Sequence, residues 1–177
     1  TSDTGVGSPT VNTALAAPNI DLNSASNEVI EVDNGFGTDT VLNFDAGPLV
    51  SAGGDVLDFD FLFADNTFVP ALVTGTFSAT VNDGNVEVVA EITGTGPTSN
   101  DTLAEVQAFY TAADTTASTG TPTEEILIVY NNTTENNSGD VYSIVNGNGI
   151  GDVQVAYEGT INLIGTDWTT LTLDNFA

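Results

Sequence analysis

Residues 34–60 read NGFGTDTVLNFDAGPLVSAGGDVLDFD, and the fold class turns on how this stretch is parsed. Gly35 and Gly37 lie one residue apart, with Asp39 two further on. That spacing gives a turn of permissive φ, whose carbonyls and following carboxylate suit a hard cation. A strand over Thr40–Phe44 comes next, then a break at Gly53 and Gly54. Asp55–Phe63 then alternates, placing Leu57, Phe59, Phe61 and Phe63 on one face and Asp58 and Asp60 on the other, as a half-buried strand does. Turn, strand, break and strand together point to a β protein.

The same reading extends in both directions. Asn27–Val32 (NEVIEV) predicts a short strand before the turn. Downstream, Gly75–Val81 and Asn85–Thr93 flank Asn82-Asp83-Gly84, turn chemistry that predicts an antiparallel hairpin. In its second strand Val86, Val88, Ala90 and Ile92 face one way, while Glu87 and Glu91 face water. Thr102–Ala113 predicts the one helix: Thr102 and Glu105 have capping-box spacing, and Leu103, Val106, Phe109, Tyr110 and Ala113 recur on one side. Glu124–Tyr130 (EEILIVY) is apolar on both faces, as in a central strand, and Val141–Val145 is similar. Gly149 and Gly151 turn the chain into Val153–Tyr157, with Thr160–Ile164 after it. Leu171, Leu173 and Phe176 supply the apolar residues of a closing segment. The expected fold is mainly β, an antiparallel β-sandwich or roll of roughly ten short strands with one helix at about 102–113.

A chain of 177 residues is long enough for one domain with one substantial core. Residues 1–18, rich in Thr, Ser, Gly and Ala and closed by Pro18, form an arm set apart from a single β domain over 19–177. Such an arm is either flexible or adds a strand to a neighbouring subunit. Its start has neither a basic region nor an apolar core, so a conventional signal peptide is expected to be absent or already removed.

The charge is extreme: 25 Asp and Glu residues and no Lys, Arg or His, a formal net charge of −25. No ion pair between side chains can form, so repulsion must be relieved by screening ions or bound cations. Nucleic acid is disfavoured and not expected as a partner, because phosphate is held largely through Lys and Arg. Anionic membrane surfaces are disfavoured for the same reason, and no apolar run approaches the ~20 residues of a membrane helix, so no membrane insertion is expected. With no cysteine, no disulfide forms.

The same absences remove most catalytic chemistry. No Ser-His-Asp triad, cysteine nucleophile, Schiff base, arginine clamp or His-ligated zinc can be assembled. Asp58 with Asp60, and Glu124 with Glu125, are the acid pairs a glycoside hydrolase would use. The spacing of Asp58 and Asp60 is that of a solvated strand edge, and no enzyme is expected. Gly147–Asp152 (GNGIGD) is a second glycine-aspartate turn, read as a plain loop.

Asn34–Leu42 (NGFGTDTVL) resembles one copy of the glycine-aspartate nonapeptide of RTX proteins, with Asn34 where the first glycine is usual. The following DTVLNFDAG…GGDVLDF is similar to the segment after the β-roll in RTX and S-layer proteins. Gly139-Asp140-Val141-Tyr142 and GTINLIGTDWTTLTLDNF (159–176) resemble their carboxy-terminal part. The resemblance implies an uncleaved type I secretion region and a bacterial protein that is extracellular or on the cell surface. It also implies Ca2+, with the carbonyls of Gly35 and Gly37 and the carboxylate of Asp39 as candidate ligands, helped by Asp33 or by Asp55 and Asp58. The chain departs from the pattern in having a single nonapeptide, which has no second turn to stack upon, and Asn162-Leu163-Ile164-Gly165 where a Lys is common. The expected function is a cation-stabilised, self-assembling structural protein, an S-layer or filament subunit whose partners are copies of itself. The alternative is a calcium-dependent adhesin or carbohydrate-binding module for cell-surface glycans.

Overall fold

The computed structural model describes residues 10–12, 20–22, 27–47, 54–62, 72–75, 77, 81, 84–94, 99–115, 122–131 and 136–177. Among these, ten strands and one α-helix follow in the order β1 (Thr10–Asn12), β2 (Ile20–Asp21), β3 (Val29–Glu31), β4 (Gly37–Leu42), β5 (Val56–Asp58), β6 (Leu72–Gly75), β7 (Asn85–Ala90), α1 (Leu103–Ala113), β8 (Thr123–Tyr130), β9 (Ser138–Asn146) and β10 (Val153–Ile164). The protein is mainly β with one helix, as the sequence predicts. One sheet has three strands in the order β1-β3-β5; the other has seven, in the order β2-β4-β10-β9-β8-β7-β6.

The sheets are mixed, which corrects the antiparallel expectation. Among the described pairings only β8 with β9 and β9 with β10 are antiparallel. The other pairs are parallel. β7 pairs in parallel with β6, Leu72 opposite Val86 and Gly75 opposite Val89, and in parallel with β8, so no described strand is its antiparallel partner; most of the arm predicted over Gly75–Val81, with Asn82 and Asp83 of the turn, lies outside the described residues. Just after β6, the Phe77 ring stacks on Phe109 of α1 at 3.9 Å and meets Tyr110 edge-on at 5.7 Å.

Two cores lie on opposite faces of the seven-stranded sheet. The first gathers Ile30 and Leu57 from the small sheet, with Val41, Val86, Ile126, Val141, Ile161 and Leu163 from the large one. The second lies beneath α1 and gathers Val106 and Tyr110 with Val89, Leu127, Val129, Tyr142, Ile144 and Val153. β8 supplies both in alternation, which is why EEILIVY carries no polar face. Full burial of each such side chain contributes roughly 1.5–3 kcal/mol. The helix begins where predicted, with the Thr102 side chain accepting from the Glu105 N–H, but its buried face narrows to Val106 and Tyr110.

Glu87, expected to face water, is fully buried because α1 covers that side of β7. The strand predicted over Asp55–Phe63 ends at Asp58, and a 3-10 turn follows over Asp60–Leu62. The C-terminal segment takes over the edge: Phe59 N–H donates to Ala177 O at 2.6 Å, and Ala177 N–H donates to Leu57 O at 3.0 Å. Leu57 and Phe59 are buried as predicted; Phe63 and the side chain of Phe61 lie outside the described residues. The two strands read at 153–157 and 160–164 are one strand of 12 residues, interrupted by a bulge between Tyr157 and Gly159.

Candidate functional site: buried carboxyl groups

The glycine turn forms as predicted, with Gly35 and Gly37 at φ +63° and +85°. Its partner is one the sequence did not indicate. The β10 bulge turns Glu158 inward, where its carboxylate accepts from Gly35 N–H at 2.9 Å and from the Ser143 hydroxyl. Residues 158 and 159 fell between two predicted strands, and a bulge has no signature in a single sequence.

The residues proposed to complete a cation site go to different places. Gly35 and Gly37 are exposed and Asp33 is half-buried. Asp39 turns inward beside Val41, only 2 % exposed, with Oδ2 unpartnered; burial pushes its carboxyl above the ordinary range. Asp58 is half-buried on β5 and accepts from Asp60 N–H at 3.0 Å. Asp55 is fully buried, and both its oxygens are taken by backbone amides, those of Glu28 at 3.0 Å and Asp45 at 2.7 Å. Asp55 therefore braces the chain through both oxygens. Among the described residues no group of three or more acidic side chains is arranged to hold a metal ion.

The structure assembles buried acids instead. Glu28, Asp39, Asp55, Glu87, Glu125 and Glu158 are all buried, in a chain with no basic side chain to pair with them. A carboxylate taken out of water without a partner costs several kcal/mol, so such groups hold a proton, accept amides or bind a cation. Glu87 and Glu125 lie beneath α1, where burial first, and then the charges of Glu125 and Glu87, push the Tyr110 phenol far above its usual range. Glu28 lies against Asp55, and neither of its oxygens accepts a hydrogen bond. The Asp55 carboxyl is pushed up to about 7, first by burial and further by the neighbouring Glu28 carboxyl, against the lowering effect of its two amide donors.

Of the two pairs considered for acid-base work, Asp60 falls in the 3-10 turn beyond Asp58, and Glu125 is buried beside a half-buried Glu124. Two surface depressions are lined largely by oxygen donors. One, of about 440 Å³, lies between Asn43–Ala46 and Ile164–Asp167; a cleft of about 80 Å³ brings together Glu91, Asp101 and Asp140 with Asn100 and Asn131. Beside it Tyr157, 43 % exposed, is fixed by its hydroxyl to Thr160 at 2.6 Å, and Thr160 donates to Asp140 at 2.6 Å. No helix among the described residues is long and apolar enough to cross a membrane. Comparison with protein-family models, with curated proteins and with solved structures finds no match for this chain.

Proposed function

We propose that this protein is a secreted, self-assembling structural subunit of the cell surface or extracellular matrix, an S-layer or filament protein whose copies join by exchanging their N-terminal strand. The observation that carries this reading is the place of β1. Thr10–Asn12 forms the edge of the three-stranded sheet, parallel to β3, with Thr10 opposite Val29 and Asn12 opposite Glu31. Eight Cα steps separate it from β2, a reach of roughly 28 Å at full extension. The same segment of a second copy fits the same edge through main-chain hydrogen bonds.

The two sheets around the first core are read as a sandwich with that edge open to exchange. Screening of the acidic surfaces by Ca2+ lowers the repulsion that opposes assembly. The RTX-like sequence between Asn34 and Phe176 supports export by a type I channel. The absence of His, Cys, Lys and Arg supports a non-catalytic role.

Asn12→Cys combined with Glu31→Cys tests the exchange, because these positions are register partners and the chain has no other cysteine. Oxidation of assembled protein gives a ladder of covalent multimers on a denaturing gel if strands are exchanged. Monomer bands alone contradict it.

A second reading, an adhesin for neutral cell-surface glycans, is favoured by Tyr157, an exposed ring held beside Asp140 and Thr160. Glycan binding abolished by Tyr157→Ala supports that reading; binding that survives the substitution rejects this site.

A further inference from the structure

We propose that Asn148 is a site of spontaneous deamidation, the first place at which the folded chain is altered with age, and that the carboxyl group gained there loosens the hold of this loop on the end of α1. The change stands apart from the assembly reading, since it is covalent and lies within one copy. Two of the chain's three Asn-Gly steps, Asn146-Gly147 and Asn148-Gly149, lie at the second glycine-aspartate turn, between β9 and β10; the third is Asn34-Gly35. Glycine has no Cβ, so its amide nitrogen is open to close approach by the preceding side chain.

The reaction needs only water. The Gly149 amide nitrogen gives its proton to solvent and attacks Cγ of Asn148. A C–N bond closes a cyclic imide, the Cγ–Nδ2 bond breaks, and the side-chain nitrogen leaves as ammonia. Water then opens the imide at either carbonyl, leaving an aspartyl or an isoaspartyl residue at position 148.

The fold sets the three steps apart. Gly35 N–H donates to the buried Glu158 carboxylate at 2.9 Å, so an amide anion there would form against a negative charge. Gly147 N–H donates to Asp152 O at 3.1 Å, and Asn146 is paired on both sides, with Thr123 of β8 and Val153 of β10. The bent backbone that the attack requires would break those hydrogen bonds. Asn148 and Gly149 are exposed and lie outside both strands, and among the described residues no main-chain carbonyl accepts from Gly149 N–H. Ile150, the next residue, is 68 % exposed.

The far side of the loop is tied to the helix. Gly151 N–H donates to Asp114 O at 3.1 Å, and Asp152 N–H donates to the Asp114 carboxylate at 3.1 Å, where Asp114 caps the C-terminal end of α1. That end of a helix carries partial negative charge, and the chain has no basic side chain to relieve it. The Asp152 side chain lies against Gly147 and Gly149, on either side of Asn148. A carboxylate at position 148 therefore adds a like charge beside Asp152 and weakens the contact with Asp114.

The test ages the whole chain at pH 8 and 37 °C, folded and in urea, and follows deamidation by mass spectrometry of Glu-specific digests. Residues 136–158 carry Asn146 and Asn148, and residues 32–87 carry Asn34. In the folded chain Asn148 is expected to react first, with Asn34 and Asn146 slower by roughly tenfold or more, a barrier difference of about 1.4 kcal/mol. In urea the three rates are expected to converge. Asn34 or Asn146 reacting as fast as Asn148 in the folded chain, or the same ratios folded and unfolded, overturns the assignment. Gly149→Ala places its new methyl 3.2 Å from the exposed Asp152 side chain; it is expected to slow reaction at Asn148, and an unchanged rate also overturns the assignment. Asn148→Asp carries the charge of the product on an unaltered main chain. Faster hydrogen exchange at the Gly151 and Asp152 amides is expected in this variant, and exchange equal to wild type overturns the loosening of the helix contact.

Discussion

A Cβ placed on Gly159 would stand 2.1 Å from the carbonyl oxygen of Gly37, its partner in the parallel register of β4 and β10, and 2.6 Å from the Phe36 ring. The backbone is the obstacle, so no side-chain rearrangement relieves the clash. This seam joins the first third of the chain to the last and presents Glu158 to the glycine turn. Gly159→Ala is expected to destabilise the protein by about 1–3 kcal/mol or more. Urea unfolding measures it, and a midpoint equal to wild type contradicts the account.

Gly139 and Trp168 meet in a similar way. A Cβ on Gly139 falls 2.6 Å from the indole, and Trp168 is 1 % exposed in the first core. Gly139→Ala is expected to displace the ring, at a cost of about 1–3 kcal/mol. Because Trp168 is the only tryptophan, its fluorescence reports the change directly as a shift to longer wavelength. Unchanged emission contradicts the packing described.

The Thr102 cap is a local device and makes a smaller prediction. Its hydroxyl accepts from Glu105 N–H at 3.3 Å and bonds the Glu105 carboxylate at 2.7 Å. Thr102→Ala is expected to cost about 1 kcal/mol, with Thr102→Ser near wild type. Hydrogen exchange at the Glu105 amide, faster in the alanine variant alone, checks the mechanism.

Asp39 separates the calcium reading of the glycine turn from the geometry of β4. Its carboxyl faces the core, and burial raises its pKa. Stability from this group is therefore full below the ordinary carboxyl range and lost as pH rises through the raised value. Asp39→Asn is expected to stabilise the protein at pH 8 by on the order of 1 kcal/mol and to change little at pH 3.5. Destabilisation at pH 8 that appears only with added calcium makes Asp39 a ligand and contradicts the core placement.

Much of the fold was legible where the signal is local. The capping box fixed the start of α1, and the unbroken apolar run of Glu124–Tyr130 marked a strand covered on both sides. The errors lie where a distant partner decides. Asn85–Ala90 was read as one arm of an antiparallel hairpin, yet its described neighbours, β6 and β8, both run parallel to it. Asp55–Phe63 alternates like a strand, but Ala177 pairs at its edge and a 3-10 turn replaces its second half. The candidate site was the least legible part. Alternation assigns acids to water, and nothing near Glu28, Glu87 or Glu158 in sequence indicates the helix, sheet or bulge that buries them.

Electron microscopy of the purified chain in millimolar calcium, beside a form lacking residues 1–18, tests the assembly claim most directly. Ordered polymers from the whole chain, shortened or absent on chelation and absent without the arm, are predicted. Monodisperse monomers from the whole chain with and without calcium, or unchanged polymers after removal of residues 1–18, contradict strand exchange as the basis of assembly.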